Sequence, residues 1–160
     1  MKLNITPQEI INLFESPQLA LDLDDDKWQD ILRVLRFNDM TATLANILSV
    51  NNIALRSHFA LKHLDSSSIY AQRQAQQVRN ESYSLKKLLS NAEVNPIFLK
   101  GAAYILASDE NSHGRLMSDI DILVDKKCLH EVESILKSNG WREKRLDNYD
   151  EQYYRKWSHE

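Results

Sequence analysis

The sequence predicts an α+β protein, with an all-helical segment over residues 1–92 packed on a small mixed-sheet core of strand-helix-strand-helix-strand over residues 93–160. Three observations lead there. Glycine and proline occur 3 times each, where ordinary usage of ~7% and ~5% would place roughly 11 and 8, so long, seldom interrupted elements are expected. Up to about residue 92 apolar residues recur at steps of three and four. From Asn95-Pro96 onward, short continuous apolar runs alternate with helical patterns, as strands joined by helices do.

Thr6-Pro7-Gln8-Glu9 forms a capping box with proline in the first turn, opening a helix whose buried side carries Ile10, Ile11, Leu13 and Phe14. Asp24-Asp25-Asp26 then precedes Trp28, Ile31, Leu32 and Leu35, a single apolar stripe with negative charge at the positive end of the helix. Adjacent acids point around a helix and not at one ion, so these aspartates read as dipole partners. Met40, Leu44, Ile47 and Leu48 continue the period, and Leu55, Phe59 and Leu61 predict a short fourth helix. His58 and His63 lie about 500° apart around that helix and share no face, unlike a metal-binding pair. Ser66-Ser67-Ser68 is expected to cap a further, long helix with Ala71, Ala75, Val78, Ser82, Leu85 and Leu89 as its packed seam.

Ile97-Phe98-Leu99, between Pro96 and Gly101, reads as a buried strand, and Ala102 to Ala107 as a helix. A polar loop through Asp109 and Gly114 leads to a second strand, Ile120 to Val124. Asp125 is placed to cap a helix carrying Leu129, Val132, Ile135 and Leu136, which Asn139-Gly140 ends. A third strand is expected to start at Trp141.

Charge and cysteine content narrow the function. Twenty Lys+Arg against 23 Asp+Glu give a net charge of −3 and a pI near 6.0, so no bulk positive field exists to hold a nucleic-acid backbone. The single Cys128 makes no internal disulfide, no Cys/His zinc spacing is present, and a reducing cytoplasm is the expected compartment. The start Met1-Lys2-Leu3-Asn4 has no apolar signal core and no run approaches membrane-spanning length, so neither a leader nor a membrane partner is expected.

The chemistry concentrates in Ser118-Asp119-Ile120-Asp121-Ile122-Leu123-Val124. On a strand, residues two apart share a face, so Asp119 and Asp121 converge while Ile120 and Ile122 enter the core. Two carboxylates so close repel, and a divalent cation relieves both; hard oxygen donors suit Mg²⁺ or Mn²⁺. Upstream, Phe98-Leu99-Lys100-Gly101-Ala102-Ala103 passes from strand to helix through a glycine, where first-turn amides can receive phosphate. Lys100 and Arg115 add cations on either side.

These pieces resemble the nucleotidyltransferase superfamily that includes polymerase beta, and most closely its bacterial family of uncharacterised nucleotidyltransferases, which also carries a helical segment ahead of the core. The resemblance implies that Asp119 and Asp121 are catalytic and hold one or two Mg²⁺ (or Mn²⁺) ions. It further implies that Lys100, Gly101, Ala102, Arg115 and Ser118 surround a nucleoside triphosphate such as ATP. The implied reaction is in-line transfer of a nucleoside monophosphate to a hydroxyl of a small molecule or protein. The chain departs from the superfamily in placing Ala102, not glycine or serine, after Gly101. It also shows no third acid within an apolar strand: Asp147 stands nearest the required register, but in a polar stretch. Because Gln152 to Glu160 reads as the start of another strand, the expectation is a truncated core whose third acid lies past Glu160.

Two other classes stay open. A non-catalytic nucleotide-binding or regulatory module would keep the fold without the third acid. A metal-dependent glycosyltransferase would share the Asp-x-Asp but needs a complete nucleotide-binding sheet before it, which residues 1–95 do not supply.

Overall fold

The structure is a computed structural model and describes residues 4–142. Helix α1 (Pro7–Glu15) starts at the expected capping box: the Glu9 amide donates to Thr6 Oγ1 at 3.2 Å and the Thr6 amide to Glu9 Oε2 at 2.7 Å. Helix α2 (Asp25–Phe37) is capped by Asp24, whose Oδ1 accepts from the Lys27 amide at 2.8 Å. Its stripe of Trp28, Ile31, Leu32 and Leu35 is at most 2% exposed. Helix α3 (Thr41–Val50) adds Leu44 and Leu48 to the same cluster. Ile11, expected inside, is 48% exposed, because a helix this short buries one narrow face, and Leu13 occupies it.

The expected break at Ser66-Ser67-Ser68 does not occur. One helix, α4, runs unbroken from His58 to Ser90, and its cap is Ser57, whose Oγ accepts from the Ala60 amide at 3.0 Å. Ser66 and Ser67 turn their hydroxyls back onto the carbonyls of Lys62 and His63, at 2.7 and 2.9 Å. A serine bonded to the carbonyl four residues earlier no longer competes for a cap, so the helix continues. At 33 residues α4 is about 50 Å long. Its first turns (Ala60, Leu64) belong to the helical cluster, while Val78, Leu85 and Leu89 support the rest of the chain.

Strand β1 (Ile97–Phe98), helix α5 (Lys100–Ala107), strand β2 (Ile122–Leu123) and helix α6 (Leu129–Ser138) follow. The strands pair antiparallel, Ile97 with Leu123 and Phe98 with Ile122. Phe98, Ile120 and Ile122 pack inward on Leu85, Leu89 and Val132, but Ile97 is 60% exposed, so β1 is covered on one face only. Asp125 caps a 3-10 turn (Lys126–Cys128) ahead of α6; the Lys127 amide and then its ammonium hold the Asp125 carboxyl below the ordinary carboxylate range. Gly140, with φ of 90°, ends α6, its amide reaching Lys137 O at 3.2 Å while the Trp141 amide reaches Leu136 O at 3.0 Å. The expected third strand and Asp147 fall outside the described residues, apart from Trp141 and Arg142. No described helix is long and apolar enough to cross a membrane.

Candidate functional site

The site forms where β1 turns into α5. The Leu99 amide donates to the Asp121 carbonyl at 3.0 Å, extending the ladder one step past β1 and bringing the two halves of the motif side by side. Lys100 then takes φ of +47°, a left-handed conformation that costs a side-chain-bearing residue about 1–2 kcal/mol. This turn aims its ammonium back at the acidic segment, which the sequence places near the start of a strand but which precedes the shorter β2, and Nζ lies 3.5 Å from Asp121 Oδ1. The Asp121 side chain is 20% exposed and that of Lys100 54%, so the pair sits at a mouth and not in the interior.

Gly101 and Ala102 follow in the first turn of α5, ahead of the first intrahelical bond, Ala103 N to Leu99 O at 3.2 Å. Gly101 has a second reason to lack a side chain. A Cβ there would press on the Met117 side chain, with Met117 Cγ at 2.7 Å. Met117 is fixed in turn by Gln74 of α4, whose Nε2 donates to its carbonyl at 2.7 Å and whose Oε1 accepts from its amide at 2.9 Å. Beyond Met117, the Ser118 hydroxyl donates to Asp119 Oδ1 at 3.3 Å and Asp119 stands exposed. Arg115 lies over the Tyr104 ring of α5, its guanidinium carbon 5.6 Å from the centroid.

Lys100, Gly101, Arg115, Ser118, Asp119 and Asp121 all line one open cleft of about 450 Å³. Ala102 does not: its side chain is 1% exposed and packs with Val78 and Ile105, leaving its amide as the only group it can offer. Asp39, Tyr70 and Gln74 also line the cleft, all from the helical segment. They carry no periodic or motif signal in the sequence, since apolar spacing marks which face of α4 is buried and says nothing of which polar neighbour reaches across.

The donor set fits a divalent cation of the magnesium or manganese type. Asp119 and Asp121 offer only hard oxygens beside an open cleft, and such ions take one or two carboxylates and fill the remainder from water and phosphate. Among the described residues no group of three His, Cys, Asp or Glu side chains is arranged to enclose a metal.

A family model described as uncharacterised nucleotidyltransferase matches residues 24–159. The chain belongs to that family. The match begins at the cap of α2, so the helical segment that lends Asp39, Tyr70 and Gln74 to the cleft lies within the matched region together with Asp119 and Asp121. Neither a curated protein nor a solved structure matches the chain. In this chain the residues of the family-like motif and the polar residues of α4 share one wall, although more than forty positions separate Gln74 from Met117.

Proposed function

We propose that the cleft binds a nucleoside triphosphate with one or two divalent cations on Asp119 and Asp121, and that the protein transfers a nucleoside monophosphate to an acceptor hydroxyl. The observation that supports this reading is the convergence of a carboxylate pair, two cations and the first turn of α5 in a single cleft. The bound cations would supply charge neutralisation between the attacking and leaving oxygens. Lys100 and Arg115 lower the charge of the triphosphate, and the Gly101 and Ala102 amides receive its terminal oxygens. Lys100 also holds the Asp121 carboxylate in place before any ligand arrives. A small molecule or a protein side chain is the favoured acceptor, because a chain of net charge −3 does not attract a long polyanion.

A second reading, a nucleotide-binding module without transfer, draws on the same cleft: binding needs the two acids and the cations, whereas the superfamily pattern carries a third acid for transfer. Thermal unfolding with Mg²⁺ and each of ATP, GTP, CTP and UTP tests the shared part. The midpoint should rise with at least one triphosphate, only with metal, and not in Asp119→Ala/Asp121→Ala. No rise with any of the four would reject both readings. Release of pyrophosphate with incorporation of an α-phosphate label then selects transfer over binding.

A further inference from the structure

A second pocket of about 270 Å³ opens beside the cleft, and Asp39, Tyr70 and Leu116 line both. The far wall is built by the helical segment. Arg36, in the last turn of α2, is exposed and makes no ion pair among the described residues, and His63 of α4 is held edge-on against Phe59 with ring centroids 4.7 Å apart. Thr41, at the start of α3, lines the pocket with its hydroxyl buried and without a hydrogen-bond partner among the described residues, although the residue is only 5% exposed. That hydroxyl lies beneath the surface and is not offered to a ligand, which leaves Arg36 and His63 to hold an anion.

Between the two spaces stands Asp39. It occupies the position after the C-cap of α2, its amide on Arg36 O at 3.3 Å and the Met40 amide on Leu35 O at 2.8 Å. Its φ is +55°, where glycine or asparagine would sit without the same penalty. Those two bonds make an ordinary left-handed helix ending, as at Asn52, Glu93 and Ser108, and what sets Asp39 apart is that it borders both spaces.

We infer that this pocket receives the acceptor: a small hydroxyl-bearing molecule with one anionic group, phosphate or carboxylate, that Arg36 and His63 hold. This rests on the nucleotidyl-transfer reading. The shared wall sets the hydroxyl against the triphosphate in the neighbouring cleft. There the Asp39 carboxylate takes the hydroxyl proton. The freed oxygen bonds to the α-phosphorus as the bond to the α–β bridging oxygen breaks, and pyrophosphate leaves with that electron pair.

The probes are glycerol 2-phosphate, glycerate and glycerol, followed by amide shifts in NMR spectra of the full chain, alongside Mg·ATP thermal shifts and α-label transfer. At least one anionic probe should bind tenfold or more tightly than glycerol and move the Thr41, Ser66 and Ser67 amides; which one binds separates a phosphate from a carboxylate acceptor. Arg36→Ala, a surface change, should weaken that probe at least tenfold. Asp39→Asn keeps a residue that tolerates the left-handed backbone and should slow label transfer to the bound probe at least a hundredfold. An Mg·ATP shift without Arg36-dependent probe binding, or a bound probe that never accepts label in the parent, overturns the inference and leaves nucleotide binding standing. Arg36-dependent probe binding with no shift for any triphosphate instead overturns the nucleotide reading, and the acceptor role with it.

Discussion

Gln74 of α4 satisfies both backbone groups of Met117, donating to its carbonyl at 2.7 Å and accepting from its amide at 2.9 Å. The long helix thus grips, through one side chain, the residue two positions before Asp119. Gln74→Leu keeps the volume and strands two part-buried backbone groups, so it should cost about 1–3 kcal/mol. Urea unfolding reads that cost. Gln74→Glu should be no better, since a carboxylate faces the Met117 carbonyl where an amide donated. Either change should also reduce any Mg·nucleotide thermal shift, because the acidic segment loses its anchor.

Two glycines should respond differently to alanine. At Gly101 the obstacle is a methionine side chain, which can swing away, so Gly101→Ala should cost no more than about 2 kcal/mol, and Met117→Ala should relieve the clash in a double-mutant cycle. At Gly114 the obstacle is backbone: a Cβ would lie 2.5 Å from the Ala42 carbonyl carbon and 2.6 Å from the Thr43 amide nitrogen, at φ of +72°. The Thr43 hydroxyl already bonds Gly114 O at 3.2 Å, tying α3 to this loop. Gly114→Ala should therefore cost more than about 3 kcal/mol, the sum of overpacking and left-handed strain. Comparable costs for the two would refute this account of the packing.

Lys100 offers a separation of strain from charge. Lys100→Ala and Lys100→Gly both remove the ammonium beside Asp121, but only glycine accepts φ of +47° freely. The glycine variant should be more stable than the alanine variant by about 1 kcal/mol, while both lose nucleotide affinity to the same extent. Equal stabilities would mean that the turn relaxes.

Acid should weaken the start of α1. The Thr6 amide, then the Lys27 ammonium 3.0 Å away, and the Thr6 hydroxyl lower the Glu9 carboxyl from 4.5 to about 2. A depressed folded pKa means that the contribution of Glu9 is complete above the unfolded value of 4.5 and is lost as pH falls through the folded value near 2. Urea midpoints of the parent should decline through that window more steeply than those of Glu9→Gln, whose side chain does not titrate; matching slopes would remove Glu9 from the acid response.

Local chemistry was readable residue by residue. The Thr6–Glu9 box, the Asp24 cap, the α2 stripe and the Gly140 stop each depend on neighbours within about five positions, and the chain spells them out. The residue types of Lys100, Gly101, Arg115 and the Asp-x-Asp pair are plain in the chain, but Lys100 and Asp121 stand 21 positions apart, and the pairing of β1 with β2 is what brings them to one cleft. The serine run misleads for the opposite reason: a serine is a cap or an interior residue depending on where its hydroxyl turns, and only the folded helix decides that.

By itself, then, the sequence determined the helix caps, the α2 stripe, the family-like motif and the charge that disfavours a polyanion partner. Tertiary structure alone decided that α4 runs unbroken from His58 to Ser90, that Gln74 holds Met117, and that Asp39 stands between cleft and second pocket. Those contacts join residues separated by forty to eighty positions. Hydrophobic spacing specifies which faces are buried but not the rotation and offset at which they meet, and that offset selects the polar side chains lining the site.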